Sequence, residues 1–137
     1  MKKCSFLSFL LLLAICFSAC DKDNNEQNAA DEYYVKYEMN SSSSPYIGGT
    51  QNVTINTENN KEMAFVINTG TPWETVIGPV KKGFNAQLTV NSSSSYYGYL
   101  KLNAQISVSK NGSPFALKGN DAKTGETSLQ IKYTIDY

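Results

Sequence analysis

The stretch Leu100-Lys101-Leu102-Asn103-Ala104-Gln105-Ile106-Ser107-Val108-Ser109-Lys110-Asn111-Gly112 decides the fold class. Leu100, Leu102, Ala104, Ile106 and Val108 alternate with Lys101, Asn103, Gln105 and Ser107. Side chains of an extended strand point to opposite faces in turn, so one face of this segment meets a core and the other meets water. The run stops at Asn111-Gly112, the dipeptide a type I′ hairpin turn favours because both central residues need positive φ.

The same period of two recurs in both directions. Tyr33, Val35, Tyr37 and Met39 alternate with Tyr34, Lys36 and Glu38, and Val53 and Ile55 with Thr54 and Asn56. Phe65 and Ile67 follow within Met63 to Ile67, and Trp73, Thr75 and Ile77 come after Gly70. Phe84, Ala86, Leu88 and Val90 repeat the pattern, and Leu129, Ile131, Tyr133, Ile135 and Tyr137 close it. Apolar spacing of three and four, the mark of a helix, does not appear in this region. Gly48-Gly49, Asn59-Asn60, Gly70-Thr71-Pro72, Lys82-Gly83 and Gly119-Asn120-Asp121 supply breaks between the segments. About seven strands with turns every 8–12 residues predict an all-β fold, a small immunoglobulin-like antiparallel β-sandwich over residues 32–137. A small barrel is the alternative. The final strand, Thr127 to Tyr137, is expected to pair in a sheet.

Ahead of that domain the composition changes twice. Met1-Lys2-Lys3 is followed by an apolar run from Phe6 to Phe17, too short to span a bilayer as a stable helix. It ends in Phe17-Ser18-Ala19-Cys20, small residues next to a cysteine. This resembles the lipobox of bacterial lipoproteins, with Phe17 standing where leucine is usual. The resemblance implies a signal peptide over residues 1–19, cleavage before Cys20, and lipidation of Cys20 as the membrane anchor. An ordinary secretory signal cut after Ala19 is the other reading. Two or three acyl chains hold a protein at a membrane where one binds only marginally. Asp21 to Asp31 has no aliphatic residue larger than alanine, so residues 20–31 are expected to form a flexible linker reaching roughly 20 Å. Asp21-Lys22-Asp23 also resembles the charged surface-export signal of Bacteroidetes lipoproteins. In enterobacteria, Asp at that place resembles an inner-membrane retention signal. The expected location is the outer membrane, lipid-anchored, facing either the surface or the periplasm.

Composition narrows the chemistry. Cys4 and Cys16 fall in the signal segment, so a domain starting at Cys20 has no disulfide and no free thiolate nucleophile. Histidine is absent, removing a Ser-His-Asp triad and the usual zinc ligand sets. All twelve basic residues are lysines, so bidentate arginine forks for phosphate are lacking. Without Lys2 and Lys3, ten lysines face twelve acids, a net charge of −2. Such a chain suits nucleic acid poorly. Glu58, Glu62, Glu74, Asp121 and Glu126 show no spacing of a glycosidase pair or a calcium loop. We therefore expect no enzyme, no cofactor, no metal and no nucleic-acid partner.

Two serine runs ending in tyrosine stand out, Asn40 to Tyr46 and Asn91 to Tyr97. Their Ser/Asn/Tyr content resembles that of adaptable binding loops, where tyrosine offers contact area at low entropic cost; the other reading is two solvent loops whose tyrosines cover the sandwich edges. Trp73, Tyr46, Tyr96, Tyr97 and Tyr99 are the candidate ligand contacts, Trp73 being either a stacking platform or a packing residue. The expected role is a membrane-anchored, non-catalytic cell-envelope accessory that meets an envelope protein partner. A surface-exposed binder of glycan or host ligand is the alternative.

A family resemblance spans most of residues 32–137. Thr71-Pro72-Trp73-Glu74-Thr75, Lys82-Gly83-Phe84-Asn85-Ala86-Gln87-Leu88 and Ile106 to Gly112 look like the mycobacterial membrane protein small (MmpS) family. That resemblance implies an anchored β-sandwich accessory of lipid and siderophore exporters. This chain departs from the pattern in having a lipobox in place of a transmembrane helix and in lacking a cysteine pair, so the fold transfers better than the partner.

Overall fold

Alternation of the kind read above forces antiparallel pairing, and a computed structural model describes how the strands pair across residues 30–43, 48–93 and 99–137. The eight strands are β1 (Tyr33–Ser42), β2 (Thr50–Asn56), β3 (Glu62–Asn68), β4 (Trp73–Val80), β5 (Asn85–Ser92), β6 (Lys101–Lys110), β7 (Ala116–Thr124) and β8 (Ser128–Thr134). They form two four-stranded antiparallel sheets packed face to face, ordered β4-β1-β6-β7 and β3-β2-β5-β8. The fold is a β-sandwich.

The strand beyond the expected seven is β7. Its sequence, ALKGNDAKT, contains the Gly119-Asn120-Asp121 read above as a turn. The ladder with β6 carries it through, Gly119 opposite Ile106 and Asp121 opposite Ala104, with a register shift between Ile106 and Ser107. A bulge of this kind spoils the period of two that marks a strand. The other breaks fall where expected. Asn111 (φ 50°) and Gly112 (φ 75°) both take positive φ in the β6–β7 hairpin, closed by Ser113 N–H donating to the Lys110 carbonyl at 2.9 Å.

The core fills with the residues the alternation marks. Val35, Tyr37, Met39, Val53, Ile55, Ala86, Leu88, Val90, Leu102, Ala104, Ile106, Val108 and Leu129 are all buried. Ile135 is buried beyond β8, where its N–H donates to the Phe84 carbonyl and its carbonyl accepts from Gly83. The final segment is therefore paired, as expected. Tyr37 reaches from one sheet to the other, its hydroxyl donating to the Asn56 carbonyl at 3.2 Å. Burial pushes that hydroxyl well above the ordinary tyrosine range, partly offset by a main-chain hydrogen bond at Gln87. Ser107 and Ser109, on the alternate face of β6, are buried too. Ser107 lies in register between Lys36 and Leu117, and the Ser109 hydroxyl donates to the Ser113 carbonyl at 2.5 Å.

Topology sorts the connections by end. The links β1–β2, β3–β4, β5–β6 and β7–β8 each pass from one sheet to the other at one end, called here the loop end. The hairpins β2–β3 and β6–β7 and the link β4–β5 lie at the opposite, base end.

Candidate functional site

At the base end the first described residues are held firmly. Glu32 N–H donates to Asn111 Oδ1 at 2.9 Å, and Asn111 N–H donates to the Glu32 carbonyl at 2.8 Å. Lys110 Nζ lies 2.7 Å from Asp31 Oδ2, and Asn111 Nδ2 donates to Asp31 Oδ1 at 2.8 Å. These hydrogen bonds, Lys110 first and then Asn111, hold the Asp31 carboxyl below the usual carboxylate range. The Tyr33 hydroxyl donates to the Tyr137 carbonyl, the two rings meet edge to face at 5.8 Å, and Lys118 Nζ sits 4.0 Å from the Tyr137 ring centre. Chain direction thus fixes where any N-terminal extension leaves the domain: beside the β6–β7 hairpin.

The loop end is built differently. Its crossings are tied to one another by main chain and small hydroxyls. Thr50 N–H donates to Ser93 Oγ at 3.0 Å, and Ser93 N–H donates to the Thr50 carbonyl at 2.9 Å. Gly70 N–H donates to Ser41 Oγ at 3.3 Å, and Gln51 Nε2 to Thr69 Oγ1 at 2.9 Å, both of the last pair buried. Ser92 N–H donates to the Thr127 carbonyl at 2.7 Å, and Gly125 N–H to the Leu100 carbonyl at 2.9 Å. Short polar side chains suit this role because they bond the main chain locally. Both serine runs begin here, one at the end of β1 and the other at the end of β5.

The candidate contacts divide. Cys20, Tyr46, Tyr96 and Tyr97 lie outside the described residues. Tyr99, 60% exposed, precedes β6 at the loop end. Trp73 opens β4, half-buried opposite Met39 on the inner face, its ring centre 4.9 Å from that of Phe65 at a 52° tilt. The indole thus closes the β3/β4 margin of the core. The structure does not bring Trp73 and Tyr99 together, since β1 separates β4 from β6.

Sequence reading missed a concavity of about 300 Å³ on the outer face of the first sheet, whose lining residue Lys101 lies two positions after Tyr99. Two rungs form it. Ser42, Lys101 and Thr124 make one, and Asn40, Asn103 and Ala122 the other. Ser42 and Ala122 are short among longer neighbours, which leaves the hollow. Its rim offers amides, hydroxyls and the Lys101 ammonium, a set that both donates and accepts hydrogen bonds. The polar halves of the β1 and β6 alternations carried this signal, but only the strand order places them side by side. Among the described residues no three carboxylates come together as a metal site would require.

Comparison with known proteins adds no family: no family model matches the chain, and no curated relative matches it.

Proposed function

We propose that the chain is a membrane-anchored lipoprotein, lipidated at Cys20, whose β-sandwich acts as a non-catalytic interaction module of the cell envelope. One observation carries this reading: residues 31 and 32 are fastened at the base end, while both serine-tyrosine runs start from the loop end. Strands of ten residues rising about 3.3 Å each separate the two ends by roughly 30 Å. An anchor at the base leaves the loop end open to a partner. The hydrogen-bonding rim that includes Lys101 supports a second reading, in which a glycan or other hydroxyl-rich ligand is the partner.

Protease shaving of intact native cells, with a periplasmic protein as control, tests the placement. Loss of the chain while the control survives fits outward display. In fractionation, Cys20→Ser is expected to move the chain from the membrane to the soluble fraction. Unchanged membrane fractionation would remove the lipid anchor from the proposal. Asn103→Ala is expected to weaken any glycan retained by the wild-type chain, and equal retention would dismiss the concavity as its site.

A further inference from the structure

Among the described residues four strands, β3, β4, β7 and β8, have one edge without a partner strand. Such edges expose unpaired amides and carbonyls, and proteins normally guard them with proline, charge, bulges or short length. Edge β4 has Gly78-Pro79 and an irregular ladder between Tyr33 and Val35. A bulge and two lysines, Lys118 and Lys123, mark β7. Lys132 lies in β8.

Edge β3 carries a single one of these devices, the charge of Glu62 at its first residue. Its sequence, EMAFVIN, has no proline, glycine or lysine. It pairs with β2 from Asn68 to Glu62 without a register shift. Val66 is 69% exposed and Met63 48% exposed. Beside it runs a groove of about 510 Å³, lined in part by Tyr34, Met63, Val76 and Ile77, that carries the apolar surface across to β4.

We propose that two copies of this chain pair through β3, antiparallel, in the register centred on Phe65. The hydrogen bonds at either end of the β2–β3 ladder set the geometry. Thr57 N–H donates to the Lys61 carbonyl and Thr69 N–H to the Gly49 carbonyl, so odd-numbered residues of β3 bond to β2. Antiparallel alternation then turns the amides and carbonyls of Glu62, Ala64, Val66 and Asn68 to the free edge. With Phe65 on the two-fold axis, Ala64 exchanges bonds with Val66 of the second copy, and Glu62 with Asn68. This register uses the whole strand. It sets Glu62 against Asn68 and Lys61 against Thr69, so no like charges oppose. Met63 meets Ile67, and Phe65 meets its own counterpart, on the face that looks toward the other sheet. The strand is complementary to itself, as an isologous interface requires.

Register-specific disulfide cross-linking of the full chain in membranes tests this. Differently tagged copies carrying Ala64→Cys and Val66→Cys are co-expressed and oxidised, with the chain lacking added cysteine as background. A mixed dimer is expected, because these positions lie opposite each other. Glu62→Cys is expected to give no dimer with itself, since antiparallel pairing holds its two copies roughly 20 Å apart. Adding the exposed edge change Val66→Lys to the Ala64→Cys copy, with Val66→Cys still carried by its partner, is expected to abolish cross-linking while the far-UV circular dichroism stays unchanged. Absence of the mixed dimer from folded protein, or a Glu62→Cys dimer of equal yield, would overturn the proposal. A β3 edge occupied by a different protein gives the first of these two results.

Discussion

Replacing Tyr37 with phenylalanine is expected to make the domain less stable at neutral pH and more stable than wild type near pH 11. The ring keeps its place in the core, and only the hydroxyl that reaches the Asn56 carbonyl at 3.2 Å is lost. A single hydrogen bond of this kind is worth about 1 kcal/mol net. The alkaline limb comes from burial. An unfolded tyrosine releases its proton near pH 10, whereas Tyr37 in the folded domain holds it to higher pH. The contribution of the buried, protonated hydroxyl is therefore whole below pH 10 and is lost as pH climbs toward the folded value. At pH 11, one unit above the unfolded value, that loss is about 1.4 kcal/mol. Tyr37→Phe cannot lose it, so the difference between the two proteins changes sign, from about 1 kcal/mol in favour of wild type to about 0.4 kcal/mol against it. Urea unfolding of both proteins at pH 7, 9, 10 and 11 reads this as crossing midpoints. Every group that the two proteins share cancels in the difference. A midpoint difference constant from pH 7 to 11 would refute the burial argument, and equal stability at pH 7 would refute the hydrogen bond.

Three further perturbations probe other parts of the fold. Leu88→Ala, at a fully buried position, is expected to cost about 2–5 kcal/mol, while Leu117→Ala, at a side chain 54% exposed, stays within about 0.5 kcal/mol of wild type in the same urea assay. Gly78→Ala puts a methyl group 2.8 Å from both the Tyr33 carbonyl oxygen and Tyr34 Cδ1 at φ +139°, so its thermal midpoint should fall by at least the equivalent of about 1 kcal/mol. An unchanged midpoint would mean that the close approach of β4 to β1 is mistaken. For Asp31→Asn, the sign follows from a carboxyl held below its usual range by Lys110 and Asn111. Wild type gains stability above the ordinary carboxylate value and loses it as pH falls through and below that value, so the two acid-unfolding curves should converge at low pH and separate above it. Parallel curves would remove Asp31 from the base-end linkage.

Much of this fold is legible in the chain because burial and alternation coincide. Ile106 and Leu88 announce themselves, since each sits in a run whose every second residue is apolar and whose inner face is sealed. β7 does not, for two physical reasons. It lies at an edge, where its positions need not be apolar, and its bulge against Ile106 and Ser107 breaks the period that would expose it. Ser107 and Ser109 mislead in the other direction: polar residues on the outward side of β6 are buried because strands and a turn crowd against them. The site was the harder part. Asn40 and Asn103 are 63 residues apart in the chain and become neighbours only through the β1–β6 ladder. No local pattern specifies that strand order. Trp73 could be read from sequence as a packing or a stacking residue, and what favours packing is the ring of Phe65, supplied by a strand of the other sheet.

The central position of β1 also bears on how the domain carries load. β1 lies between β4 and β6, bonded to both, and the chain preceding it leaves from the base end. A pull on that preceding segment, resisted by a partner gripped at the loop end, acts along the strand axes. Both ladders are then sheared along their full length, instead of being opened one bond at a time from an end. Rupture under force is governed by the rate of unfolding, and loading many bonds in concert keeps that rate low.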